Sequence, residues 1–175
     1  MAQKTIDNVA VLTTPKLMMA AIDDNFDELY ALKPSVWAYV SVPAPTTVVA
    51  AGTYYPIEGT FVNDLNNFSA AVVVTPGIKY DGLGTCKFKI DLSAQVEADS
   101  ANTTITLAVK KNGVLIPGST MGAICRVAAS PYPVGATIVT SLETDDEIQL
   151  VVTSDGAGDE ITFDNLQTTI RPFCN

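Results

Sequence analysis

From Cys86 to Glu97 the chain alternates without a break. Cys86, Phe88, Ile90, Leu92, Ala94 and Val96 are apolar or small, and Lys87, Lys89, Asp91, Ser93, Gln95 and Glu97 between them are polar. Successive side chains of a strand point to opposite faces, so this run describes one long strand with a buried side and a wet side. A helix built on it would scatter its apolar groups around the axis. A sheet with one apolar face must bury that face under a second layer, so the alternation commits the chain to a packed β fold.

Shorter runs on either side obey the same rule. Trp37 lies within the alternation of Val36, Ala38, Val40 and Val42, which Pro43-Ala44-Pro45 closes. Tyr54-Tyr55-Pro56 marks an edge or a bend, because proline has no N–H for a central ladder. An apolar run from Ala70 to Thr75 stops at Pro76-Gly77. Ile105, Leu107 and Val109 lead into Asn112-Gly113, the pair suited to the two left-handed positions of a tight hairpin, and Val114-Leu115-Ile116 begins the return. Strands follow at Ile124 to Ala129, Thr137 to Leu142 and Glu147 to Val152. Ile161 and Phe163 share one face while Leu166 and Ile170 are out of phase with them, which places a bulge near Asp164-Asn165. With turns about every ten residues, the pattern predicts a mainly β domain over residues 35–175: an antiparallel jelly-roll sandwich of about eight to ten strands. Its inward face is Cys86, Phe88, Ile90, Leu92, Ile105, Leu107, Val109, Ile148, Leu150, Ile161 and Phe163.

Residues 1–34 follow a different rule. Thr14 suits an N-cap and Pro15 a first helical turn, and Lys33-Pro34 supplies the stop. Between them Met18, Ile22, Leu29 and Leu32 recur at intervals of four, seven and three, with Asn25 on the same stripe and Phe26 and Tyr30 on its shoulder. Asp23, Asp24, Asp27 and Glu28 lie opposite. The spacing predicts an N-terminal α-helix. It fits a short coiled coil with Asn25 at a d position, and it equally fits an amphipathic helix packed on its own domain. A helix this short is marginal alone and needs a surface beneath it. Met1 to Thr13 has no period and reads as an arm or tail.

Composition removes several function classes. The net charge is −9, and only Lys110-Lys111 are adjacent cations, so a phosphate-binding surface is not expected and nucleic acid is not a partner. No apolar run approaches the ~18 residues of a membrane span. No basic, apolar leader precedes Met1-Ala2-Gln3, so no secretory signal is expected, and the sequons at Asn67 and Asn102 carry no weight. There is no histidine, and Cys86, Cys125 and Cys174 are isolated, which argues against a triad and a zinc site; no metal or cofactor is expected, and a weak calcium site in the acidic turns is the alternative left open. Asp145-Asp146-Glu147 and Asp155, Asp159 and Glu160 fall at turns and read as solvated charge, so no enzyme is expected. Hydrophobic residues nonetheless make up 47% of the chain against 17% charged, more than strands alone account for, and the excess points to a subunit interface.

Two stretches resemble known families. Cys86–Val96, then Ile105-Thr106-Leu107-Ala108-Val109-Lys110-Lys111-Asn112-Gly113, then Leu142-Glu143-Thr144-Asp145-Asp146-Glu147-Ile148-Gln149-Leu150, then Ile161–Ile170 together resemble the jelly roll of C1q-like and tumour-necrosis-factor-like modules. That family carries a Gly-Asp pair where this chain has Asp145-Asp146. Ile22-Asp23-Asp24-Asn25-Phe26-Asp27-Glu28-Leu29-Tyr30-Ala31-Leu32 resembles the helix that heads many tailed-phage virion proteins. Together the resemblances imply a homotrimeric structural protein, made in the host cytoplasm and carried on the virion. One form is a capsid decoration or head-fibre protein, held to the major capsid protein or another virion protein through residues 1–33. The other is a tail-fibre or receptor-binding module that reads a host glycan or protein. The short distance in sequence between helix and knob favours the first. Met18, Ile22, Asn25, Phe26, Leu29 and Leu32 are then the anchor and trimer residues.

If the helix is a coiled coil, Asn25→Leu stabilises the assembly and loosens its register or copy number. Light scattering with thermal unfolding checks this, and no change in either rejects the coil.

Overall fold

The computed structural model describes residues 34–71 and 76–173. The expected helix, with Met18, Ile22, Asn25, Phe26, Leu29 and Leu32, lies outside the described residues, as do Cys174 and the end of the Ala70 to Thr75 run.

Thirteen strands are described, in chain order β1 Ser35–Pro43, β2 Thr46–Val48, β3 Tyr55–Pro56, β4 Gly59–Asn66, β5 Phe68–Ala70, β6 Ile78–Tyr80, β7 Cys86–Ala98, β8 Thr103–Lys111, β9 Val114–Leu115, β10 Met121–Cys125, β11 Tyr132–Leu142, β12 Glu147–Ser154 and β13 Asp159–Pro172. This exceeds the expected eight to ten because β2, β3, β5, β6 and β9 are only two or three residues long. Pieces that short show no period in a sequence. The remaining eight are the long strands of the sandwich.

They form two antiparallel sheets. Sheet I has the order β11-β7-β13-β1-β4, with β2 also on β13. Sheet II has the order β10-β8-β12-β6-β5, with β3 on β12 and β9 on β8. From β10 onward each long strand crosses to the other sheet, and the last strand, β13, inserts between β7 and β1. That winding makes a jelly-roll sandwich.

The alternation of β7 sets the core. Phe88, Ile90 and Val96 are fully buried, while Lys87, Ser93 and Gln95 are exposed. Phe88 meets Tyr80 edge-on at 5.0 Å between ring centroids and Phe68 at 5.6 Å, so one ring of sheet I is gripped by two from sheet II. Leu92, Ile105, Leu107, Val109, Ile148, Ile161 and Phe163 are buried with them. Cys86 and Leu150, expected inside, are only half-buried. Cys86 opens β7 at the rim of the sheet. Leu150 lies on β12 between its short ladders with β3 and β6, where its carbonyl accepts the Ile57 N–H at 3.2 Å, and it lines an apolar cavity of about 230 Å³ together with Ile57, Phe61 and Ile78. Val42, grouped with the inward residues of its strand, is exposed, because the register of β1 on β4 shifts between Val40 and Val42.

Turns fall where left-handed backbone is cheapest. Asn112 and Gly113 have φ of 50° and 79°, the double-positive geometry of a tight hairpin joining β8 to β9. Asn67 and Asn102, the sequon residues, take φ of 56° and 60° in the links after β4 and β7. The ladder of β13 on β7 shifts between Asp164 and Gln167, with Asn165 at φ 52°. The extra residue turns Leu166 and Ile170 back into the core, and both are buried.

Phe88→Ala removes the ring held between the sheets and is expected to cost about 3–5 kcal/mol. Urea unfolding measures it. A cost below about 1 kcal/mol would show that the sheets do not depend on this contact.

Candidate assembly surface

The registers of the strands of sheet I give its outer face rows. One row runs Thr137, Asp91, Thr169, Trp37, Asp64 across β11, β7, β13, β1 and β4. The next runs Gly135, Ser93, Gln167, Tyr39, Val62. Asp164, opposite Gln95, opens the row after that. Trp37 is 47% exposed and Val62 41% exposed, and the Trp37 and Tyr39 rings lie 5.0 Å apart at a 45° tilt. β1 thus presents Val36, Ala38 and Val40 to the core and an aromatic pair to the outside.

Asp91 ties down the opposite end of this face. Its carboxylate accepts the Thr137 hydroxyl at 2.6 Å and pairs with Lys89 at 3.0 Å and Arg171 at 3.3 Å. The Thr137 hydrogen bond first, then Lys89 and Arg171, hold Asp91 below the usual carboxylate range against a smaller opposing effect of burial. The aromatic end has no such partners: Asp64 and Asp164 make no ion pair among the described residues.

β10 of sheet II packs against β11 of sheet I. Ile124 is exposed on β10, Val139 on β11, and Val127 between the two strands, next to the exposed Arg126. Arg126 also makes no ion pair among the described residues.

The turn acids expected in solvent do not all lie there. Asp146 and Glu147 are buried. Asp146 Oδ2 accepts the Glu143 N–H at 2.8 Å and Lys111 Nζ at 3.0 Å, and its Oδ1 accepts Asn112 Nδ2 at 2.6 Å. Asn112 Oδ1 in turn accepts the Glu147 N–H at 2.8 Å. Burial pushes the Asp146 carboxyl up, but Glu143, Asn112 and Lys111 together outweigh it and hold the group low. Asp145 takes φ 71°, a left-handed conformation that aspartate tolerates. The pair therefore pins the link before β12 to the β8–β9 hairpin. Asp159 is also buried, at 8% exposure, with Oδ2 unpartnered, and a Cβ at Gly156 would collide with its carboxylate. Asp155 and Glu160 are exposed. Among the described residues no three Asp, Glu or Cys side chains converge as a metal site would need. Cys125 is fully buried, and burial raises its thiol pKa.

Several solved structures are similar to this chain to differing degrees. The Eiger TNF structure from S. frugiperda matches with a TM-score of 0.55 at 8% identity, over 82% of this chain and 94% of that one. Latent PorU from Porphyromonas gingivalis matches 80% of this chain and 13% of its own at a TM-score of 0.41 and 11% identity. A family 35 carbohydrate-binding module from Clostridium thermocellum matches at a TM-score of 0.35 and 12% identity, over 75% of this chain and 90% of that one. No family model and no curated protein matches the chain. The likeness to Eiger TNF shows a jelly roll of the TNF and C1q type, and shows the fold alone.

The lowered carboxyls of Asp91 and Asp146 give a signed pH dependence. Both sit below the 3.8 of a free aspartate in the folded protein, so their stabilisation is full above that value and is lost as pH falls through the folded pKa. Asp146→Asn is expected to cost about 1–3 kcal/mol at neutral pH, with the deficit shrinking in acid below 3.8. Urea unfolding from neutral to acid pH measures both, and a deficit that does not change with pH would contradict the assignment.

Proposed function

We propose that the chain is a structural protein of a tailed-phage virion. It forms a homotrimer displayed as a capsid decoration or head-fibre domain, and residues 1–33 attach it to the major capsid protein or another virion protein. The observation that carries the reading is the coupling in one chain of the Asn25-Phe26-Asp27-Glu28-Leu29-Tyr30 motif to a jelly roll of the TNF and C1q type. The role is binding and assembly rather than catalysis.

The division of labour follows from the physics of the two parts. Residues 35–173 carry their own core, so they need no partner to hold their shape. A short helix with a single apolar stripe gains order by binding, and its contact energy offsets that cost. Three such elements on one trimer add avidity without any new kind of contact. The alternative, a tail-fibre or receptor-binding module for a host glycan or protein, shares the trimer and the attachment and differs in where on the virion the chain sits.

A chain beginning at Ser35 is expected to fold and to lose attachment. Binding of both forms to stripped particles, measured by co-sedimentation, tests this. Equal binding would move attachment onto the jelly roll. Mass spectrometry of separated heads and tails decides between the two readings, and absence of the chain from both rejects the virion assignment.

A further inference from the structure

We infer that the cavity between the two sheets beside β4 is a binding pocket for a small neutral alcohol or phenol. The inference goes beyond the virion reading and does not depend on it.

The registers of sheet I set Thr168 on β13, Ala38 on β1 and Asn63 on β4 side by side in one row. The row faces sheet II: Thr168 shares the parity of the buried Leu166 and Ile170, and Ala38 that of the buried Val36 and Val40. The inner row on one side is Ile170, Val36 and Leu65, and the row on the other holds Val40 and Phe61. Between these two apolar rows stand a hydroxyl, a methyl and a carboxamide. Ile57, Ile78, Ile148 and Leu150 lie opposite, and the space left is the cavity of about 230 Å³. Sheet I ends on β4 and sheet II on β5, and no ladder joins those strands among the described residues. Asn63 is exposed at that opening, so a ligand enters without breaking a strand pair.

Thr168 decides what fits. It is 6% exposed, and its hydroxyl makes no hydrogen bond among the described residues. A buried hydroxyl without a partner is costly, so the site favours a ligand that brings it a hydrogen-bonding group. The described lining carries no charged side chain. A carboxylate or an amine would therefore enter unpaired, at far greater cost than a hydroxyl. The rest of the ligand must be apolar to match the isoleucines and Leu150. A cavity of ~150 Å³ holds benzene, and by that measure 230 Å³ takes about nine non-hydrogen atoms. An aryl or short alkyl alcohol meets every one of these conditions.

Benzyl alcohol, ethylbenzene and benzoate share a ring and differ at one end, so together they test each part. They are titrated into the full chain, followed by calorimetry and methyl NMR. Benzyl alcohol and ethylbenzene are expected to shift the methyl signals of Ile57, Ile148 and Leu150, and benzoate to leave them unmoved. Thr168→Val keeps the shape of the side chain and removes the hydroxyl. It is expected to weaken benzyl alcohol roughly five- to tenfold and to spare ethylbenzene. Leu150→Phe fills the cavity and is expected to abolish both. Ala38→Leu fills it from the other sheet, and circular dichroism checks that each variant folds. No methyl shifts at saturation, shifts confined to exposed residues such as Ile124 and Val139, or undiminished binding to a folded filled variant would each overturn the pocket. Equal effects of Thr168→Val on the two neutral probes, or benzoate binding as tightly as benzyl alcohol, would refute the ligand class. None of these outcomes bears on attachment through residues 1–33.

Discussion

β7 lies between β11 and β13 in sheet I, and a slip of one residue against either neighbour would turn Phe88 and Ile90 outward and Lys87 and Lys89 inward. Its alternation therefore fixes the phase of three strands at once. β13 inherits that phase up to Asp164, changes it across one bulge, and then carries Ile170 into the core beside β1. Phe88 passes the same constraint across the sandwich to Phe68 and Tyr80. Sheet II is seated by what β7 buries.

The end of the sandwich near Asp146 is held differently. Apolar contact has no direction, so it cannot fix how one loop meets another. A buried carboxylate with three donors does so, because losing any one donor leaves charge unsatisfied in a place with little water. Asn112 serves twice: its left-handed backbone makes the hairpin, and its amide bridges Asp146 and Glu147.

The two faces of β1 explain where the apolar excess goes. A strand with apolar groups at both parities is covered on both sides, or stays incomplete until something covers the second. Val36, Ala38 and Val40 are covered by sheet II, and Trp37 is left in the open. The sequence signal was available in the aromatic residues between those aliphatic ones.

What the sequence determined by itself was local: the phase of β7, the hairpin at Asn112-Gly113, the bulge near Asp164 and the class of sandwich. These depend on side-chain period and on which residues accept positive φ, and both are written in neighbouring positions. Tertiary structure alone decided that β13 inserts between β7 and β1, that β3 and β6 leave Leu150 beside a gap, and that Asp146 is buried while Asp155 is not. Each of these depends on strands distant in sequence arriving side by side. An aspartate at a turn looks the same in the sequence whether or not a lysine and an asparagine from another hairpin close over it.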